Sequence, residues 1–336
     1  MKKLHIIIAI LVLTATTANA KIWRVNNNSG ITADFTTAQA ANNAAAAGDT
    51  LHLEPSGTSY GNLTLSKRLV VISSGDFITQ NPGYQVMANT GFVSSLTINN
   101  IAANGSVIMV KFSENININS NVGNILVQSC VTSYRDGAHN CCGYAGNINI
   151  SNADNIIVKN CFVNNINFTS NSNNIIVTNN IVGNVVGNDV SSDGVISNNV
   201  INAYFNANPG LNINNCSVEN NIYNYGVQQS FSSCLVRNNI NSNTGLPAGN
   251  GNQNSVSMAT VFINNAGGYL DNVYQLKAAS PAIGAGLGSA DCGAFGGSTP
   301  FKLAVTPPIP SIYKLEVPST PAGNTMNIKF STRSNN

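Results

Sequence analysis

The chain has 336 residues, of which 43% are apolar and only 8% charged. Its 15 basic and 13 acidic residues leave a formal charge of +2, and without Lys2 and Lys3 the two signs balance. That composition excludes a basic stripe for nucleic acid and a polybasic patch for an anionic membrane surface.

Residues 1–20 read as a secretory signal. Lys2 and Lys3 form a basic start, Ile6 to Leu13 an apolar run, and Ala18-Asn19-Ala20 a small-residue cleavage site. No cysteine follows that site directly, and no later apolar run is long enough to span a bilayer, so no transmembrane segment is expected. The expected address is secreted or cell envelope. Lys21 to Val25 reads as a short strand. Phe35 to Ala47 reads as a helix, started by Asp34 or a nearby Thr and ended by Gly48. An Ala-rich helix at this place suits a cover over the first coil of a stacked fold, whose open end would expose core and strand edges. Strands follow at Asp49–Glu54, Asn62–Leu65 and Leu69–Ile72, then with less regular spacing at Leu96–Ile98, Val107–Val110 and Ile116–Ile118.

From 124 to 241 one phrase returns, most clearly as Asn174-Ile-Ile-Val-Thr-Asn-Asn-Ile-Val182. Its β-branched anchors are Val127, Val158, Val177, Ile196, Val218 and Val236. Four of the five steps between them are about one coil of a solenoid long, and the first leaves room for a loop. The next column, Gln128, Lys159, Thr178, Ser197, Glu219 and Arg237, is polar and faces water. Then come Ser129, Asn160, Asn179, Asn198, Asn220 and Asn238, followed by Cys130, Cys161, Asn180, Asn199, Asn221 and Asn239, and an apolar column from Val131 to Ile240. Val and Ile between polar neighbours read as strand. The asparagine pair breaks the strand, because Asn tolerates the left-handed backbone of a sharp corner. With coils about 4.8 Å apart, asparagines in one column can bond those above and below. A single coil buries too little apolar surface to offset its own backbone entropy, so the coils must stack. These features predict an all-β, right-handed parallel β-helix (a β-solenoid) over 21–300. Residues 242–268 read as a long loop with one strand at Val261–Ile263. The proline-rich stretch 301–336 reads as a terminal β-hairpin-like segment.

Seven cysteines include the stacked pairs Cys130/Cys161 and Cys216/Cys234, within Cα reach of a strained disulfide but read as small buried hydrophobes. The vicinal Cys141 and Cys142 lie in the insertion after Val131 and lack a metal-ligand spacing partner. The same insertion holds Tyr134, Arg135, Asp136 and His139, a concentration of chemistry in a chain nearly devoid of charge. Loops on a rigid scaffold often carry function. Arg135, Asp136 and His139 are therefore the candidate catalytic residues, with Tyr134, Asp154 and Lys159 as candidate binding residues. The column before the anchors (Leu126, Ile157, Ile176, Val195, Leu235) would point outward. Such a row marks either a contact surface or a face under the 242–268 loop or the terminal segment, and the second is expected.

The chain resembles the secreted parallel β-helix proteins related to pectate lyases, and within them a bacterial exported group. The likeness is carried by Phe35–Asp49 with Thr50–Pro55 and Asn62–Ile72, by the Val-x-Asn-Asn-Ile ladder, and by Ser280–Gly286 with Asp291–Phe295, where an Asp often stands at the place of Gly284. This fold hosts lyases, hydrolases, epimerases, tailspikes and adhesins, so the resemblance bears on fold more than on activity. A hydrolase of this type would need paired carboxylates on adjacent coils. A lyase would need a calcium site, and Asp136, Asp154, Asp189 and Asp193 form no clear ligand cluster in sequence. No cofactor is assigned, and calcium stays open. Two readings follow. The shortage of acid–base residues points to a non-catalytic surface or secreted scaffold binding a polysaccharide or cell-surface glycan. The resemblance and the 134–139 loop point to a polysaccharide lyase or glycoside hydrolase acting on an acidic polysaccharide.

Overall fold

The computed structural model describes residues 20–78, 81, 89–132, 146–169, 171–187, 193–202, 210–224, 228–264, 271–319 and 324–334. The chain winds as a parallel β-helix. A ten-stranded parallel sheet runs in strict chain order through Ile22–Val25, Thr50–Leu53, Val70–Ile72, Val107–Met109, Leu126–Gln128, Ile156–Lys159, Ile175–Thr178, Gly194–Ser197, Cys216–Glu219 and Leu235–Arg237. The anchors stack residue on residue: Val127 pairs with Val158, Val158 with Val177, Val177 with Ile196, Ile196 with Val218, and Val218 with Val236. All six are buried in one continuous core. The register follows because a slip by one residue would turn every anchor to solvent.

The other walls belong to a 14-stranded sheet. In chain sense, each coil first passes a column that includes Val131–Thr132 and Val200–Asn202. It then passes a column that includes Asn115–Ile118 and Asn147–Ser151. The long strands Phe162–Thr169 and Ile181–Gly187 run through both columns and join them. On the third wall, the inward residues are Leu and Ile pairs such as Ile148 and Ile150. Outside them stands an amide ladder, with Asn149 Nδ2 donating to Asn117 Oδ1 and Asn167 Nδ2 to Asn149 Oδ1, both at 2.9 Å.

The asparagine corner between the first and second walls has two distinct columns. Asn160, Asn179, Asn198, Asn220 and Asn238 have φ between 52° and 58°, the left-handed turn expected of them. The column after them points into the core. The Oδ1 of Asn199 accepts from the backbone N of Asn180 at 2.9 Å and from its Nδ2 at 3.0 Å. Asn199 Nδ2 in turn donates to Asn221 Oδ1 and to Val177 O, each at 2.9 Å. The same pattern continues from Asn221 to Asn239 and ends on Asn252. At the other end Cys161 takes the place of Asn, and its amide bonds Asn180 Oδ1 at 2.9 Å. Among the described residues the five cysteines are free. Burial raises the thiols of Cys161, Cys216 and Cys292, the last two to about 12. Such groups stay protonated and donate to carbonyls, as Cys161 does to Lys159 O at 3.2 Å.

The helix spans Ala38–Ala44, starting later than the sequence indicates. Phe35 is drawn instead into a parallel bridge with Val25, its amide bonded to Arg24 O and its carbonyl to Asn26 N. Thr37 caps the helix by accepting from Ala40 N at 3.3 Å. Asp34 accepts from Arg24 N, and Gly48 lies beyond the end. Ala38, Ala41 and Ala45 join the main core, so the helix does close the first coil. The strand expected at Val261–Ile263 is not formed. Val261 ends a one-turn helix, Met258–Val261, and Phe262 bridges Leu276 in antiparallel sense. The run is too short for its apolar pattern to tell helix from strand.

Residues 282–306 then return along the outside of the asparagine corner as a strap. Asn238 Nδ2 donates to Ala285 O, Asn198 Nδ2 to Asp291 O, Asn179 Nδ2 to Ala294 O and Gly296 O, and Asn160 Nδ2 to Thr299 O, all between 2.7 and 3.1 Å. Leu287 N donates to Asn220 Oδ1. The strap and the segment before it seal a second core over the outward column Val131, Phe162, Ile181, Val200, Ile222 and Ile240. Gly293 makes this approach possible: at φ 85°, any Cβ would lie 2.6 Å from Ile222 Cδ1. The strap ends at Ala304 and Val305, both at positive φ. The buried Asp271 accepts there from Ala304 N at 2.5 Å and from Asn81 Nδ2 at 3.0 Å. Beyond it, Ser311–Glu316 and Lys329–Arg333 pair antiparallel, with Leu315 opposite Phe330 and Phe330 64% exposed.

Candidate binding face

The outer surface of the first sheet carries two rows, because alternate residues of each strand face away from the core. One row is aliphatic: Val70, Val107, Leu126, Ile157, Ile176 and Val195, in register and half-exposed. Leu235 extends it after Ser217 and is 49% exposed. This corrects the expectation that the loop or terminal segment covers the row. Both instead cover the neighbouring column of the second wall, where the asparagine corner offers amides for the strap's carbonyls. The second row is polar, running Gln128, Lys159, Thr178, Ser197, Glu219 and Arg237. Within it Ser197 Oγ donates to Thr178 Oγ1 at 3.1 Å, and Arg237 pairs with Glu219 at 2.8 Å.

Each border of the face has a shallow depression. On the side where coils enter the sheet, a cavity of about 240 Å³ lies between Asn124, Asn155 and Asn174 and the aliphatic Leu126, Ile157 and Ile176. These three asparagines are also left-handed, with φ of 55° to 57°. Asn174 Nδ2 donates to Asn155 Oδ1 at 2.7 Å. On the strap side a cleft of about 270 Å³ is lined by Gln128, Lys159, Asn160, Ser298, Thr299, Pro300, Lys302, Thr306 and Pro308. Its lining holds two ammonium groups and no carboxylate.

Of the residues singled out in the sequence, Tyr134, Arg135, Asp136 and His139 lie outside the described residues, as do Cys141 and Cys142. The chain leaves the second wall at Thr132 and re-enters at Gly146, whose amide donates to Thr132 Oγ1 at 2.8 Å. Asp154 and Lys159 are not brought together. Asp154 sits exposed at the corner before the strand Ile156–Lys159 and caps the next coil, its Oδ1 accepting from Asn173 N at 3.0 Å and Nδ2 at 3.1 Å. Lys159 ends that strand at the opposite border. Asp154 therefore does the structural work of a turn acid, while Lys159 lines the strap-side cleft. His52 lies on the outer row beside Arg24 and Ile72, and burial lowers its pKa. Among the described residues no group of three or more His, Cys, Asp or Glu side chains is placed to hold a metal.

Sequence reasoning missed Lys302 and Thr306. The strap meets the solenoid across large separations, such as the 115 residues between Asn179 and Ala294, and no local pattern encodes that. The one available signal was the first asparagine column, whose amides needed partners outside the coils. No helix among the described residues is long and apolar enough to cross a membrane. Comparisons with protein-family models, with curated proteins and with solved structures find no match.

Proposed function

We propose that the chain is an exported, non-catalytic β-helix scaffold that binds a glycan along the outer face of its first sheet. One observation carries the reading. Two outward apolar columns flank the polar row and the asparagine corner, and the strap buries one of them while the other, Val70 to Val195, remains half-exposed. An aliphatic row flanked by amides and hydroxyls suits a sugar chain, whose rings present C–H faces and equatorial hydroxyls. The signal-like residues 1–20 and the likeness to secreted pectate-lyase-related proteins support export and a carbohydrate partner. The test is a glycan-array screen of residues 21–336 beside Ile157→Asp, with product assays on uronic-acid polymers in parallel. Binding by the parent chain that drops at least tenfold in Ile157→Asp supports the scaffold. Unsaturated or reducing products that vanish on replacing His139 or Arg135 would replace it with the lyase or hydrolase reading.

A further inference from the structure

We propose that the strap-side cleft is a binding site for a tetrahedral oxyanion, sulfate or phosphate, held between Lys159 of the solenoid and Lys302 of the strap. Three observations converge. First, both lysines line the same cleft, and neither has an ion-pair partner among the described residues. In a chain only 8% charged, two cations meet on one cleft whose lining holds no carboxylate. Second, the remaining polar lining is amide and hydroxyl: Gln128, Asn160, Ser298, Thr299 and Thr306. Third, Thr306 is only 5% exposed, yet its Oγ1 has no hydrogen-bond partner in the structure. A buried hydroxyl left unpaired costs free energy, and a rotation that turned it into the cleft would give it a bound oxyanion as acceptor.

Two ammonium groups are matched better by the higher charge of sulfate or phosphate than by the single charge of a carboxylate. A carboxylate is best matched by the planar fork of an arginine, whereas a lysine ammonium is a point charge that takes an oxyanion from any direction. Here the cations come from opposite walls, one on a strand end and one on the strap. The anion would therefore bridge the two, and its binding would fasten residues 298–306 to the solenoid. The same chemistry has two sources, a free ion or an ester on a polysaccharide. In its ester form the inference rests on the glycan reading above, and in its free-ion form it does not.

The test is hydrogen exchange of the strap amides 298–306 at constant ionic strength in chloride, acetate, sulfate or phosphate. At ten times the dissociation constant, exchange from the open strap should slow by about tenfold in sulfate and phosphate and not in acetate or chloride. Lys302→Gln, a change at an exposed position, should abolish the effect. Lys329→Gln on the terminal hairpin should leave it intact. Equal protection by all four anions, or protection that survives Lys302→Gln, overturns the proposal. A second arm compares a sulfated polysaccharide with its desulfated form. Loss of binding on desulfation, restricted to chains with Lys302 intact, identifies the ester. Sulfate protection without polysaccharide binding keeps the cleft as a free-ion site and removes the glycan reading. Binding that ignores desulfation, with no ion protection, does the reverse.

Discussion

Both borders of the first sheet are turned by left-handed asparagines, yet the asparagines that bond coil to coil there differ in what they are worth. At the border that leads to the second wall, Asn199 is fully buried, and its amide donates to Asn221 Oδ1 at 2.9 Å. At the border where coils enter, Asn174 is exposed, and its amide donates to Asp193 Oδ1 at 2.5 Å. Both bonds join a backbone N–H to a side-chain oxygen one coil on. At the exposed border water can take over a lost partner, so the net value is small. At the buried border it cannot, and a lost partner leaves an orphaned polar group. Asparagine is thus a turn residue at one corner and a structural rung at the other.

Asn199→Ala should have the largest effect. It strands the Asn180 amide and the Val177 carbonyl, among others, in the core. At roughly 1–3 kcal/mol for each unpaired group, the loss is about 3–6 kcal/mol in urea unfolding. Phe162→Ala empties the second core beneath the strap, where the ring meets Phe77 edge-on at 5.1 Å. Its cost should be about 3–5 kcal/mol. That loss should come with faster exchange of the strap amides while the ladder amides stay protected. A comparable loss of protection in both would mean that strap and solenoid unfold as one.

Asp271 gives the comparison a pH axis. Burial pushes its carboxyl up to about 6, against the hydrogen bonds from Asn81 and Ala304 that act in the other direction. The folded value lies above the ordinary one, so the folded state holds the proton more tightly than the unfolded chain. Its contribution to stability is greatest in acid, falls as pH rises from about 4 to about 6, and is level above that. The fall should be about 3 kcal/mol, from a shift of about two units. The check is the difference between the parent chain and Asp271→Asn across that window. A difference that stays constant with pH would remove Asp271 from this role. Smallest of all, Asn174→Gly, which keeps the left-handed turn, should cost less than about 1 kcal/mol, since water replaces the side-chain bond to Asn155. A loss equal to that of Asn199→Ala would show that burial does not set the value of these rungs.

The coils were legible in the sequence because their information is local and repeated. The anchors from Val127 to Val236 align by counting, and the left-handed asparagines announce their corners. The strap was not legible, because its partners lie far along the chain and its own segment carries no period. That omission explains why the cover was assigned to the wrong column. Without the strap, Leu126, Ile157 and Ile176 read as the column in need of cover, and nothing in the sequence links Lys159 to Lys302. The start of the helix was misjudged for a related reason, since the bridge between Phe35 and Val25 is a tertiary pairing that propensity does not see. Of the proposed site, only Lys159 was found in advance. Tyr134, Arg135, Asp136 and His139 fall outside the described residues.

Native-state hydrogen exchange at individual amides tests the account most directly. The amides of Asn180, Asn199 and Asn221 should exchange only on global unfolding, and that of Asn174 by local opening, orders of magnitude faster. Equal exchange rates at the two corners would contradict the claim that buried asparagine rungs hold the coils together.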